Sequence, residues 1–83
     1  MYIVEYDDKA ARFVLCLSQE LKNRIFYKIR QTKENPFRYF KRLEGRKDYS
    51  LRVGEYRVIA DIDIQLKKIE VRLVGHRKNV YEK

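Results

Sequence analysis

Apolar and polar residues alternate with a period of two at the start of the chain and again through most of its C-terminal half. The segment MYIVEY at residues 1–6 shows this alternation, as do DYSLRV at 48–53, YRVIADID at 56–63 and KKIEVRLVG at 67–75. Runs of this kind, bounded by turn residues, predict strands. Gly54 opens the gap between the second and third runs and suits a two-residue type II′ turn. We therefore expect the last three strands to follow one another in antiparallel order.

The apolar period lengthens to three or four residues after the first strand. Asp7 or Asp8 can cap a short first helix in YDDKAARFVLCL, and Ser18 can cap a longer second helix in QELKNRIFYKIRQTKEN. Pro36 ends the second helix, because the residue before a proline resists helical geometry. The apolar stripe of that helix comprises Leu21, Ile25, Phe26 and Ile29. The basic, aromatic segment FRYFKRLEGRKD that follows has no clear period and is interpreted as a connection.

These elements follow one another in the order β-α-α-β-β-β, which is typical of an α+β fold. An antiparallel sheet needs cover on one face only, and the two helices can supply it as a hairpin. We therefore predict an antiparallel β-sheet with a two-helix hairpin packed on one face, in a single domain over residues 1–83. The opposite face of the sheet is then available for function.

Length and composition limit the classes of protein to which the chain can belong. With 83 residues it has a thin core, and no apolar run is long enough to span a bilayer. No signal peptide is visible, so we expect a cytoplasmic protein without a membrane partner. Cys16 is the single cysteine, which excludes an internal disulfide and a cysteine-rich metal site. Within FVLCLS we expect it to be a buried small hydrophobe, and we expect no cofactor.

Positive charge is in excess and unevenly distributed. The net charge is +8, from 20 Lys and Arg against 12 Asp and Glu. Residues 1–37 carry 7 basic and 5 acidic residues, a net of +2, whereas residues 38–83 carry 13 and 7, a net of +6. A basic stripe of this kind favours a polyanionic ligand, nucleic acid above all. The alternatives are an acidic protein partner and a high isoelectric point without such a ligand.

The predicted turn at Gly54 fixes which residues oppose each other in the hairpin. Arg52 pairs with Arg57, and cross-strand partners share a face. The other face collects the residues expected to pack on the helices, Tyr49, Leu51, Val53, Tyr56, Val58 and Ala60. Like charges in direct opposition destabilise a sheet by up to about 1 kcal/mol, and a phosphate between the two guanidinium groups would remove that penalty. Alternatively, Asp61 or Glu55 compensates the pair.

The end of the last strand supplies further candidate residues. This strand stops at Gly75 and lies antiparallel to the run that begins at residue 56, so the two ends meet. His76, Arg77 and Tyr81 are therefore expected beside the arginine pair of the hairpin. Together these residues would form a cationic, phenolic pocket on the face of the sheet that the helices leave open.

The residue types in this pocket favour metal-independent cleavage of RNA. The chain has no suggestive pair of carboxylates, no glycine-rich phosphate loop and only one histidine. RNA supplies its own nucleophile, the 2′-OH, so the protein has to orient it, stabilise the charged transition state and transfer protons. Arginine suits the second task but hardly deprotonates, which leaves a tyrosine or a histidine as the proton carrier.

Two motifs and the order of elements resemble the RelE family of toxin–antitoxin systems. The motifs are RLEGRKDYSLRVGEYRVIADI at residues 42–62 and VGHRKNVY at residues 74–81, and the resemblance covers nearly the whole chain. It implies a RelE-like microbial RNase fold, a ribosome-dependent endoribonuclease activity that cuts mRNA and inhibits translation, and a cognate RelB-like antitoxin as partner. The same superfamily includes ParE-like toxins, which inhibit DNA gyrase without a nuclease site. A non-catalytic RNA-binding module is a further alternative.

The resemblance carries over onto particular residues. The family's catalytic arginines and C-terminal tyrosine match Arg57, Arg77 and Tyr81, and a family lysine matches Arg52. His76 stands where some members have lysine, and it could take over proton transfer. The residues expected to contact RNA phosphate are Arg46, Lys47, Ser50 and Lys78.

The chain also departs from the family pattern at two positions. A family lysine falls at Ser50, and a serine is a poor general base. A family arginine falls at Glu44, whose carboxylate would repel phosphate. These departures weaken the expectation of nuclease activity without removing it.

Overall fold

Two helices and five strands make up the part of the chain that the computed structural model describes, residues 1–78. In chain order the elements are β1 (Ile3–Tyr6), α1 (Asp8–Leu15), α2 (Gln19–Gln31), a 3₁₀ turn (Pro36–Arg38), β2 (Lys41–Arg42), β3 (Tyr49–Val53), β4 (Tyr56–Asp63) and β5 (Lys68–His76). The predicted α+β class is confirmed, and the order β-α-α-β-β-β holds with β2 as an addition. A strand of two residues is too short for its alternation to be detected, which is why its segment has the pattern of a connection.

Both predicted caps begin the helices. The Asp7 carboxylate accepts a backbone N–H of the first turn of α1 at 3.0 Å, and Ser18 Oγ accepts one from α2 at 3.3 Å. The expectation that α2 continues up to Pro36 is wrong. The helix has its C-cap at Thr32, whose buried hydroxyl donates to a carbonyl of the last turn at 2.6 Å. Pro36 instead begins the 3₁₀ turn.

The sheet is mixed, with the strand order β1-β5-β4-β3-β2. The pairs β3–β4 and β4–β5 are antiparallel as predicted, and the added β2 is antiparallel to β3, whereas β1 lies parallel to β5. The expectation of a wholly antiparallel sheet is therefore wrong at one edge. Alternation identifies a strand but not its direction, and here the helical hairpin separates β1 from the meander, so no tight turn fixes how β1 pairs.

The helices cover one face of the sheet and form the core with it. From the helices the buried residues are Ala10, Val14, Ile25 and Ile29, and from the strands they are Leu51, Val53, Val58, Ala60, Ile69, Val71 and Val74. Below, the sheet face opposite the helices is called the uncovered face. Within residues 1–78, the helices are all too short or too polar to cross a membrane.

Cys16 does not belong to this core. It is the C-cap of α1 and it is exposed, so the prediction of a buried cysteine is wrong. The reason is that α1 ends at Leu15, and the turn into α2 carries the next side chain away from the apolar stripe. Phe13 and Leu15 are also 37% and 62% exposed.

Candidate nucleic-acid interface

The β3–β4 hairpin has the predicted register. Val53 pairs with Tyr56, and Arg52 pairs directly with Arg57. Gly54 has a φ of +59°, which a glycine adopts at little cost and which the first position of a type II′ turn requires. Because the neighbouring Val53 faces the helices, the two arginines lie side by side on the uncovered face.

The two arginine side chains extend in opposite directions along the hairpin. Arg52 Nε donates to the carbonyl of Gly54 at 3.2 Å, towards the turn. Arg57 Nη1 donates to Ser50 Oγ at 3.4 Å, away from the turn. Ser50 is 4% exposed, so it supports the arginine from below rather than presenting a nucleophile to solvent. This divergence lowers the repulsion that the register imposes.

The acids that could have compensated the arginine pair bind other arginines. Asp61 Oδ2 accepts from Arg72 Nη1 at 3.0 Å, and Glu55 Oε1 accepts from Arg77 Nε at 3.2 Å. The alternative in which Asp61 or Glu55 neutralises the hairpin arginines therefore has no support in these contacts. A phosphate at the hairpin would meet two guanidinium groups rather than one.

Arg77 is held at the same end of the sheet, as predicted. Its backbone N–H donates to the carbonyl of Glu55 at 2.8 Å, and its Nε bonds the carboxylate of that residue. On β5, Gly75 pairs with Arg57 and presents no side chain beside it. The end of β5 therefore joins the hairpin turn, and three arginines share one region. We call Arg52, Arg57 and Arg77 the cationic end.

His76 does not join the cationic end, so the predicted placement is wrong. It pairs with Tyr56 across β4 and β5, and the two rings meet edge to face with centroids 5.7 Å apart. The ring of Phe13 on α1 also contacts Tyr56, with the two ring centroids 6.2 Å apart. The physical reason is the period of the strand: His76 lies two positions after the buried Val74 and so points to the helix side.

The other predicted phosphate contacts lie around the cationic end rather than in it. Arg46 pairs with Asp48 at 2.7 Å in the loop between β2 and β3, where Lys47 is exposed. That loop lines a shallow cavity of about 360 Å³ on the uncovered face, together with Ile59 and residues of β5. Lys78 is exposed just after β5. Tyr81 lies outside the described residues, so its predicted role stays a prediction.

One cation on the uncovered face was not among the residues predicted from the sequence. Lys41 of β2 is the cross-strand partner of Ser50, whose hydroxyl accepts from Arg57. Cross-strand partners share a face, so Lys41 is placed on the same side as the cationic end. The only signal in the sequence was the neighbouring basic pair Lys41-Arg42. Because β2 was not recognised as a strand, the sequence did not predict on which face of the sheet either residue lies.

The uncovered face is electrostatically uneven along its length. The cationic end holds three arginines near the hairpin turn and one acid, Glu55, which pairs with Arg77. Towards the other end of β4 and β5 the cations are matched by acids, in the pairs Arg72–Asp61 (3.0 Å), Arg72–Glu70 (3.9 Å) and Lys68–Glu5 (3.5 Å). Guanidinium groups bind phosphate oxygens in a forked geometry and stay charged at any working pH. The cationic end can therefore bind a phosphodiester and stabilise added negative charge on it.

Comparisons with known proteins give a consistent result for the fold. A scan against protein-family models and a search of curated proteins found no match. Among solved structures, the chain is similar to the RelBE2 toxin–antitoxin complex from Mycobacterium tuberculosis, with 26% identity over 92% of this chain and 98% of that one and a TM-score of 0.76. An archaeal RelE–RelB complex from Pyrococcus horikoshii OT3 is 22% identical over 92% and 94% of the two chains, with a TM-score of 0.78.

A third similar structure is a free toxin rather than a complex. The isolated E. coli RelE toxin is 18% identical over 92% of this chain and 84% of that one, with a TM-score of 0.79. The arrangement of two helices on one face of the sheet is thus shared with proteins from several species. The predicted resemblance is confirmed at the level of architecture, and this chain has the fold of the RelE toxins.

Proposed function

We propose that this protein is the toxin of a type II toxin–antitoxin system and that it cleaves mRNA on the ribosome. The observation that carries the proposal is the direct opposition of Arg52 and Arg57 on the uncovered face of a RelE fold. A chain selected for stability alone gains nothing from two like charges in register. A chain that binds a phosphodiester there gains two forked contacts.

The chemistry that fits this site uses a nucleophile from the substrate. The 2′-oxygen of RNA forms a bond to the adjacent phosphorus while the bond from phosphorus to the 5′-oxygen breaks. The 2′-OH loses a proton to a base, and the departing 5′-oxygen gains one. Arg57 and Arg77 would stabilise the negative charge on the phosphoryl oxygens in the transition state. Arginine does not carry protons at neutral pH, so proton transfer falls to Tyr81 or to groups supplied by the ribosome.

Dependence on the ribosome follows from this division of tasks. The described residues of the cationic end supply charge and hydrogen-bond donors, and they do not include a strong general base. An RNA that is held with its 2′-oxygen in line with the scissile bond needs less help from the protein. Action on translating ribosomes would place the protein in the cytoplasm.

An antitoxin belongs to the same proposal. Two of the similar structures, one of them from Methanococcus jannaschii, are complexes of a RelE protein with RelB. We propose that a RelB-like antitoxin binds this chain and blocks the cationic end. With a net charge of +8 on the toxin, an acidic antitoxin is expected.

The decisive experiment is primer extension on an mRNA under translation, with the same mRNA without ribosomes in parallel. We expect cuts within translated codons that disappear when ribosomes are left out. Equal cutting of free RNA would contradict the ribosome-dependent mechanism. The absence of cuts in both samples, together with a halt of DNA replication in cells, would favour the gyrase-inhibiting alternative. Binding of RNA without cuts in either sample would favour the RNA-binding module.

A further inference from the structure

The site described above has a cation that no part of the proposed mechanism uses. Lys41 is exposed on β2, the last strand at its edge of the sheet. The β2–β3 register places it directly opposite Ser50 of β3, the strand that separates β2 from Arg57 on β4. Cβ atoms of such cross-strand partners are about 5 Å apart. The position is therefore fixed by backbone pairing and not by the conformation of a loop.

The residue opposite Lys41 is small and almost fully buried. Ser50 is 4% exposed and its hydroxyl accepts from Arg57 Nη1 at 3.4 Å. A lysine has a flexible four-carbon stem, and such stems lie along a surface while the ammonium group stays in water. Because the serine side chain is short and the lysine stem is long and flexible, Nζ of Lys41 can extend over β3 in the direction of Arg57.

The side chain of Lys41 has no acidic partner among the described residues, unlike several other cations of the sheet and its loops. Within residues 1–78 its ammonium group makes neither a side-chain hydrogen bond nor an ion pair, whereas Arg46 is paired with Asp48, Lys68 with Glu5 and Arg77 with Glu55. An ammonium group on the same face as two arginines raises the positive potential of that face. Phosphate is the ligand that this arrangement attracts.

We propose that Lys41 is a phosphate-binding residue that completes the cationic end and contacts a phosphodiester of the RNA next to the one held by Arg52 and Arg57. The inference rests on the proposed function for the identity of the ligand as RNA. It assigns a substrate contact to a strand that the sequence did not reveal. The competing explanation is that an exposed lysine on an edge strand only prevents edge-to-edge association, which predicts no role in RNA binding.

The experiment compares Lys41→Gln, Lys41→Arg and Lys68→Gln. Lys68 is a matched control because it is a lysine on the uncovered face at the opposite end of the sheet, paired with Glu5 at 3.5 Å. Cleavage of translated mRNA is measured under single-turnover conditions. Binding of an uncleavable 2′-O-methyl trinucleotide is followed by NMR of the lysine side-chain methylene groups at several salt concentrations.

We expect Lys41→Gln to weaken trinucleotide binding about tenfold and to lower the slope of log affinity against log salt by about 0.7, the value for one phosphate of a single strand. Lys41→Arg should restore most of the affinity, and Lys68→Gln should match the wild type. The Lys41 methylene signals should shift on binding. If Lys41→Gln and Lys68→Gln bind and cleave alike, Lys41 is not a contact. If Lys41 responds to the trinucleotide but the wild type cuts no mRNA, the phosphate site stands and the proposed function falls.

Discussion

At the scale of single residues, Arg57 is the side chain on which the proposed chemistry depends most. It stands opposite Arg52 on β3 and opposite Gly75 on β5, and its guanidinium reaches Ser50. It is only half-buried and lies outside the core cluster. Its loss should therefore affect charge stabilisation far more than folding.

Arg57→Ala is expected to slow single-turnover cleavage on ribosomes by about 10²–10³, the cost of removing one preorganised donor to a developing anion. The thermal unfolding midpoint should change little. His76→Gln is the matched control, because His76 packs on Tyr56 on the helix side and should retain cleavage within a few-fold. Full activity of Arg57→Ala, or a dead His76→Gln that is still folded, would show that the wrong face has been assigned.

Tyr6 illustrates how burial alone changes a titrating group. Its ring meets Phe26 edge to face at 5.7 Å, next to a cavity of about 220 Å³ between β1 and α2. Burial raises the pKa of Tyr6 from 10.0 to about 12, although the positive charge of Arg30 acts in the opposite direction. The folded state therefore holds the phenol proton more tightly than the unfolded state does.

The sign of the effect on stability follows from this difference. The raised pKa contributes stability that is fully present below about pH 10 and is lost as the pH rises through about 12. The free energy of unfolding, measured in urea at pH values between these limits, should fall less steeply with pH for Tyr6→Phe than for the wild type. Tyr27→Phe, which alters a tyrosine that is 59% exposed, should follow the wild type. If the free energy of unfolding changed with pH in the same way for all three proteins, the result would contradict a buried, protonated Tyr6.

At the scale of elements, the β3–β4 turn and the end of β5 act as one unit. Glu55 binds Arg77 twice, through its carbonyl at 2.8 Å and through its carboxylate at 3.2 Å. The carboxylate bonds Nε and so leaves the two terminal nitrogens of the guanidinium directed elsewhere. An exposed ion pair adds only about 0–1 kcal/mol to stability, so the main consequence of this contact is the orientation of Arg77.

Glu55→Gln is expected to lower the cleavage rate several-fold while leaving the half-saturating ribosome concentration unchanged, because a misdirected Arg77 costs orientation rather than binding. In an Arg77→Ala background the same change should have no further effect. Asp61→Asn is a suitable control, since it removes the acid of a similar exposed pair with Arg72 at 3.0 Å. Faster cleavage by Glu55→Gln would instead mean that Glu55 competes with phosphate for Arg77.

At the scale of the whole molecule, the sheet separates two functions. Its helix side carries the apolar core, and its uncovered face carries Arg52 and Arg57, which lie outside that core. With a net charge of +8, the protein is drawn to polyanions, and an acidic antitoxin would compete with RNA for the same surface. A partner that neutralises this face can both inhibit the toxin and stabilise its small core.

Binding of the antitoxin should therefore weaken with salt, by about tenfold or more between low and high ionic strength, since much of the attraction is charge. Hydrogen exchange on the free toxin and on the complex should show new protection within residues 73–83 and around the hairpin turn. Affinity that does not depend on salt, or unchanged exchange in 73–83, would contradict inhibition through the cationic end.

Local patterns in the sequence were sufficient for most of the elements and for the hairpin. The two-residue turn at Gly54 fixed the register, so the opposition of Arg52 and Arg57 could be predicted from a few neighbouring residues. The caps at Asp7 and Ser18 were likewise predictable, because a cap depends on residues a few positions apart. What these features share is that every partner lies close by in the sequence.

The tertiary structure decided the features whose partners are distant in the sequence. The parallel pairing of β1 with β5 joins residues more than sixty positions apart, and neither strand's alternation encodes direction. The pairing of β2 with β3 places Lys41 on the uncovered face. His76 lies on the helix side because it is two positions after Val74, which is buried in the core. Arg77 reached the cationic end because the end of β5 bonds the hairpin turn. The sequence by itself therefore determined the elements and the arginine hairpin, whereas only the packed sheet decided which further side chains share a face with them.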